Sequence, residues 1–245
     1  MDRAIWVTWY DLPAADRRPY FTWLHETYIP RVLAQPRVLW AAHYQSESHY
    51  LPPGRVRQVN EGEVAAGNAY ILLFGAEDVH AFADPVPSKL HAAFPQAERR
   101  MLGMRTGERV NLFTEEARVD GPEAAHREGP WALSPCIQIG SFNAAAHEDE
   151  EGILDWYAHN RMAAMRHLPG CLGVRKYVSA MGWAKHGIIY EFVSRRARDE
   201  HFQNHINANR EMKEWSDRIV PTLIHAPGSP NVAVRIWPPV KNPPG

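Results

Sequence analysis

The chain has 245 residues, 45% of them apolar and 11% aromatic, with 27 basic against 28 acidic side chains. That length suits one large domain or two small ones with a full core, and the near-zero net charge argues against a nucleic-acid or membrane surface. No apolar run approaches the roughly 20 residues of a membrane-spanning helix.

In chain order, residues 4–10 read as a strand, because β-branched and aromatic residues dominate. No signal-peptide layout precedes it. Asp16 suits a helix N-cap, and a helix follows to about residue 34 with an expected kink at Pro30. In it Phe21, Leu24, His25, Tyr28 and Val32 recur at helical spacing and share one face. Residues 38–45 form the next strand. Val38, Trp40, Ala42 and Tyr44 take one face; Leu39, Ala41, His43 and Gln45 take the other. Residues 46–67 read as a long loop, and an inserted loop of this size suggests a lid over a site. Residues 68–74 are apolar on both parities, as in a strand covered on both faces. A short helix at 78–83, a partly helical stretch at 88–106 and a strand at 109–114 complete a β-α-β-β-α-β unit.

Residues 118–134 are rich in Gly, Pro and charge and read as a linker. The order then repeats: strand 135–142, helix 149–168, strands 172–179 and 186–193, helical stretch 197–220 and strand 231–237. The organisation expected is therefore a first unit at 1–117, a linker at 118–134 and a second unit at 135–245. Trp156-Tyr-Ala-His159 answers Trp23-Leu-His25, and an ungapped offset of 134 residues places His43 on Tyr177. The fold class is α+β: two split β-α-β units of the ferredoxin-like kind, whose bare sheet faces must be buried. Packed face to face, the two antiparallel sheets close into an α/β barrel.

On Phe21-Thr-Trp23-Leu-His25 through Pro30 to Pro36, and on Asp155-Trp-Tyr157-Ala-His159 to Leu168-Pro169-Gly170, the chain resembles the dimeric α/β-barrel superfamily, in its EthD-like flavour. The resemblance implies a pocket between sheet and helices or at the barrel mouth. It also implies a range of activities: cofactor-free monooxygenases, polyketide cyclases, lactone isomerases, hydroxynitrile lyases and haem proteins. Fold alone does not choose among these.

Thirteen histidines are more than a chain this long needs, so some are candidates for chemistry. His25 heads them, since imidazole exchanges a proton near its ordinary pKa of about 6.5. His43 is the second candidate. Tyr28 and Tyr177 are expected to hold a substrate oxygen. Trp9, Trp23 and Trp40 are expected to wall a slot for a flat substrate, with His159 and Arg175 as further binding residues. His201 and His205, four apart on a helix, lack a third ligand, and no metal site is expected. Cys136 and Cys171 read as buried thiols in a reducing cytoplasm. There is no phosphate loop, dinucleotide fingerprint or GxSxG elbow. The reading is a cofactor-independent cytoplasmic lyase or isomerase acting on a small aromatic or phenolic compound, possible only because the substrate itself delocalises the anion. A cofactor-free monooxygenase, a haem protein with a helix histidine as axial ligand and a non-catalytic binding module are the alternatives. Homo-oligomerisation stays open, and neither nucleic acid nor membrane is an expected partner.

Overall fold

The computed structural model describes residues 1–47, 56–127, 134–202, 205 and 209–241. In the first unit, β1 (Ala4–Asp11) leads into a helix at 17–33, α1, and then β2 (Val38–Ser46). After the short β3 (Arg57–Gln58) come β4 (Tyr70–Ala76), two short helices, α2 (Pro87–Ala92) and α3 (Gln96–Leu102), and β5 (Thr106–Asp120). The second unit begins with β6 (Cys136–Ala144), a helix at 150–165, α4, and β7 (Cys171–Met181). It continues with β8 (His186–Phe192), a helix at 195–202, α5, then α6 (Arg210–Ile219), the short β9 (Leu223–His225) and β10 (Asn231–Trp237). The expected β-α-β-β-α-β order is present twice.

The long strands run β10-β2-β4-β1-β5-β7-β8-β6, and β6 pairs back onto β10, so the antiparallel sheet closes on itself. Closure removes the free edges that an open four-stranded sheet would carry. The junctions between units are β5 against β7 and β10 against β2. One chain therefore supplies the whole barrel. Outside the ring, β3 pairs in parallel with β9, which ties the descending end of the 46–67 stretch to the second unit. Residues 48–55 of that stretch, and with them the middle of the proposed lid, lie outside the described residues. β5 continues to Asp120, three residues into the stretch read as linker.

Strand alternation sorts the core into an inner layer and two outer ones. On β1, Ile5, Val7 and Trp9 point into the barrel, while Ala4, Trp6 and Tyr10 face α1. In the second unit Cys136, Phe142, Val174 and Tyr190 face α4 and α5. The barrel is filled by side chains that include Trp9, Trp40, Tyr44, Phe113 and Tyr177, each worth about 1.5–3 kcal/mol on full burial. Gly75 leaves the space that the Trp40 indole occupies; a Cβ there would collide with the ring. An ionic cluster lies in the same barrel: Arg175 donates to Asp2 (2.7 Å) and Glu191 (2.8 Å), and the Trp40 indole N–H donates to Asp2 (3.0 Å).

Both long helices contain a π turn, Leu24–Tyr28 in α1 and Tyr157–Arg161 in α4. Pro30 follows the first, but Ala163 stands at the matching place in the second, so proline does not cause the turn. The two turns are 157 − 24 = 133 residues apart. The same spacing holds in the strands, where Leu39 and Leu172 are the extra residues of two β-bulges. The repeat offset is thus 133 in the helices and second strands, and 142 − 10 = 132 between β1 and β6, where Tyr10 and Phe142 hold matching pairs; it is not the 134 expected, and one residue is decisive. It swings a helical position by about 100° and moves a strand position to the opposite face.

Candidate active site

The corrected register separates residues that the sequence pattern groups together. His43 pairs with Leu72 on β4, and the matching residue of β7 is Lys176, paired with Ile188. Tyr177 points into the barrel beside Phe113 instead, and its hydroxyl has no hydrogen-bond partner among the described residues. Arg175 is held in the barrel ion cluster. Trp9 stacks under the Arg109 guanidinium (4.7 Å), and Trp40 binds Asp2, so both tryptophans belong to the barrel filling and not to a slot beside His25. His159 lies on the solvent face of α4, 72% exposed and bonded to Asp155 (2.7 Å); Ala158 takes the place that matches His25. Trp23 packs its ring on Tyr20 and Tyr28 and lines a shallow surface depression with Arg18, Thr22 and Glu26.

What remains together is a polar chain between α1 and the first unit's sheet. His25 Nε2 lies 2.9 Å from His43 Nδ1, and His43 Nε2 lies 2.9 Å from the Tyr10 hydroxyl. His43 and Tyr10 have no exposed surface, whereas His25 is half-buried at the rim. The π turn carries His25, and the alternation of β2 and β1 places His43 and Tyr10 on the same layer. The His25 ring is stacked between Phe21 (5.8 Å) and Trp237 (5.7 Å). Trp237 is the end of the second unit's last strand, paired with His43 across the β10–β2 junction.

Arg105 anchors the inner end. Its side chain is fully buried, its Nε donates to the Tyr20 hydroxyl (2.5 Å) and its Nη1 to Glu108 (2.7 Å). The guanidinium carbon lies 4.8 Å from the Tyr10 ring and 5.2 Å from the Tyr28 ring, close enough for cation–π attraction. Tyr28 lies on the far side of this cation, and its hydroxyl is engaged by His91 Nε2 (2.8 Å). It is thus part of the same layer but not within reach of His25's substrate face through that hydroxyl.

Burial lowers the pKa of His25 to about 4 and that of His91 to about 4. Burial, helped by His25 and the Arg105 charge, pushes His43 well below its ordinary value. Burial likewise raises Tyr10 well above its ordinary value. The histidine pair is therefore neutral at neutral pH, against the expectation of titration near 6.5. Neutral imidazole carries one donor and one acceptor nitrogen. Such a pair can pass a proton or a hydrogen bond to a ligand at the rim without holding a charge in the core.

In the second unit the matched positions carry other chemistry. Phe142 stands for Tyr10, and Lys176 Nζ binds Glu116 (2.9 Å) and His186 Nδ1 (3.0 Å). His186 Nε2 reaches Glu150 (2.8 Å). The histidine relay belongs to the first unit alone. Sequence reasoning missed Tyr10, Tyr20, Arg105, His91 and Trp237. Only Tyr10 had a usable signal, its alternation with Trp6 on β1.

His159, His201, His205, His25 and His43 are each placed unfavourably for haem ligation. His159 faces solvent, His201 is exposed beside Glu200, and His205 uses both ring nitrogens, toward the Phe202 carbonyl and Arg161. His25 and His43 are bonded to each other. Among the described residues no three His, Cys, Asp or Glu side chains converge as metal ligands, and no helix is long and apolar enough to cross a membrane.

The fold is that of the α/β-barrel proteins, with both units in one chain. No family model and no curated protein sequence matches the chain. Solved structures do. An anthrone oxidase-like protein superposes with a TM-score of 0.64 at 8% identity, over 96% of this chain and 92% of that one. A Fusobacterium nucleatum protein named as a monooxygenase superposes at 0.56 with 10% identity, over 96% and 91%. A mutant chlorite dismutase from Candidatus Nitrospira defluvii superposes at 0.54 with 10% identity, over 97% and 92%. At these identities the likeness is one of fold.

Proposed function

We propose that the chain is a cofactor-independent enzyme that exchanges a proton with a small aromatic or phenolic compound at His25. The observation that carries this is the neutral His25–His43–Tyr10 chain, buried at one end and opening at the other between the rings of Phe21 and Trp237. A flat substrate suits a rim bordered by aromatic rings. The reaction class is a lyase or isomerase step. In a retro-aldol cleavage the substrate hydroxyl loses its proton, the carbon–carbon bond breaks, and the electron pair delocalises into the ring system before that carbon is protonated. The EthD-like flavour of the α1 sequence supports the same small-molecule chemistry.

A second reading shares the first step. The delocalised anion can be oxidised by dioxygen, and the names of the anthrone oxidase-like and monooxygenase neighbours favour that outcome. Incubating the protein with hydroxyaryl ketones and anthrones, with and without air, separates the two. Turnover without oxygen uptake supports the lyase or isomerase. Turnover that requires oxygen supports the monooxygenase. In either case His25→Ala and His43→Ala lower kcat by about 10²–10⁴-fold, and activity persists down to pH near 4 because burial keeps His25 neutral until then. Wild-type kcat in both folded variants would remove the pair from the chemistry.

A further inference from the structure

The structure assigns a carboxylate-binding site to Arg109 at the mouth of the barrel: its Nε–H and Nη2–H form an unspent two-pronged fork, backed by the Trp9 ring, that takes the planar carboxylate of a small organic acid. This site is separate from the histidine relay. Tyr10 lies on the helix-facing side of β1, whereas Trp9 lies on the barrel side, and Arg109 is the cross-strand partner of Trp9 on β5.

A guanidinium has five N–H groups and no acceptor. Nη1 of Arg109 is spent on the backbone ahead of β4, donating to the carbonyls of Gly67 (2.7 Å) and Ala65 (3.4 Å). Nε and Nη2 are buried, and neither has a hydrogen-bond partner among the described residues. These two nitrogens share one edge of the guanidinium plane, and that edge matches the two oxygens of a carboxylate. The indole Nε1 of Trp9 is a third buried donor without a partner among the described residues, on a ring whose centroid lies 4.7 Å from the guanidinium carbon. Buried donors that meet no acceptor are costly, and more so when they carry charge. They select a ligand group that only accepts.

Charge leads to the same ligand. Other buried arginines face a carboxylate: Arg105 faces Glu108 (2.7 Å), Arg175 faces Asp2 (2.7 Å) and Glu191 (2.8 Å), and Arg198 faces Asp199 (2.7 Å). Arg109 has no ion pair among the described residues, and residues 48–55 contain no Asp or Glu. The Asp11 charge acts on it, but Asp11 Oδ1 is held by the amides of Asn68 (2.8 Å) and Ala69 (2.7 Å). Burial outweighs Asp11 and pulls the Arg109 pKa down to about 10, which still leaves the group charged at neutral pH. A buried cation is stabilised when an anion meets it with good hydrogen-bond geometry. Arg109 is 8% exposed and the adjoining Ala65 and Ala66 are exposed, so the guanidinium lies close beneath the surface.

The test is proton–nitrogen NMR of the arginine Nε–H groups in the 15N-labelled full chain at neutral pH. The protein is titrated with sodium acetate and sodium benzoate, with acetamide, benzamide and sodium chloride as controls. At least one carboxylate should move the Arg109 Nε–H proton downfield to a saturating limit, as a new charge-assisted hydrogen bond does. The matched amide and chloride should leave it in place. Arg109→Lys keeps the charge and loses the fork, so in calorimetry it should bind the same carboxylate about tenfold more weakly, or weaker still. No saturable shift with either carboxylate overturns the proposal, and so does a shift that chloride or the amide reproduces. Wild-type affinity in folded Arg109→Lys overturns it as well. Should that variant not fold, the wild-type titration against its controls decides alone.

Discussion

Replacing Tyr10 by phenylalanine removes one buried oxygen from the middle of the relay. The ring volume is kept, so no cavity of any size opens, and Phe142 at the matched place of the second unit shows that a phenyl ring suits this layer. The cost is therefore almost entirely polar. His43 Nε2, with no exposed surface, loses its 2.9 Å partner. Leaving a buried group unsatisfied costs about 1–3 kcal/mol. For a chain of this length each kcal/mol lowers Tm by roughly 2–4 °C, so a drop of about 2–12 °C is expected. Urea denaturation followed by tryptophan fluorescence gives the free energy, and an unchanged m-value confirms that the native state is intact. A loss under about 0.5 kcal/mol, the range of an ordinary surface substitution, would mean that the hydroxyl is not part of a closed buried chain, and the relay would have to be abandoned.

Asp2→Asn should cost about 3 kcal/mol, because it leaves the buried Arg175 with Glu191 alone and frees one contact of Arg118. Burial raises the Asp2 pKa, but Arg175 and Arg118 outweigh it and hold the carboxyl below its ordinary value. Its stabilisation is therefore present above the unfolded pKa of 3.8 and is lost as pH falls below that; an acid-unfolding profile shared by wild type and variant would contradict this. His225 is 6% exposed, packs at a tilt against Phe142 (5.4 Å), and has its pKa lowered by burial from 6.5 to about 4. The unfolded chain binds that proton first, so stability falls between pH 6.5 and 4 by up to about 3 kcal/mol. His225→Phe should remove that share of the slope in chemical denaturation at stepped pH, and an unaltered slope would show that His225 is protonated in the fold.

Several features of this protein are written locally. Alternation in residues 4–10 and 38–45, the helical stripe of Phe21, Leu24, His25 and Tyr28, and the doubled element order are properties of short segments. They were enough for two β-α-β-β-α-β units and for the bare sheet faces that must meet. His25 and His43 each stood on a local periodicity, but nothing local said that their two faces would meet. What local pattern could not supply was phase between distant segments. The Trp-Leu-His and Trp-Tyr-Ala-His stretches align equally well by eye at 133 or 134 residues. Packing decides, because the π turns and the bulges at Leu39 and Leu172 correspond at 133 residues and put Lys176, not Tyr177, in the place of His43. That single step sends His159 to solvent and Tyr177 into the barrel. Arg105 and Trp237 were beyond any local signal. Arg105 precedes β5 and is drawn in by three tyrosines from β1 and α1, and Trp237 reaches His25 only because barrel closure pairs β10 with β2. A side chain's surroundings are set by which strands become neighbours, and in a closed barrel that is decided by the whole sheet.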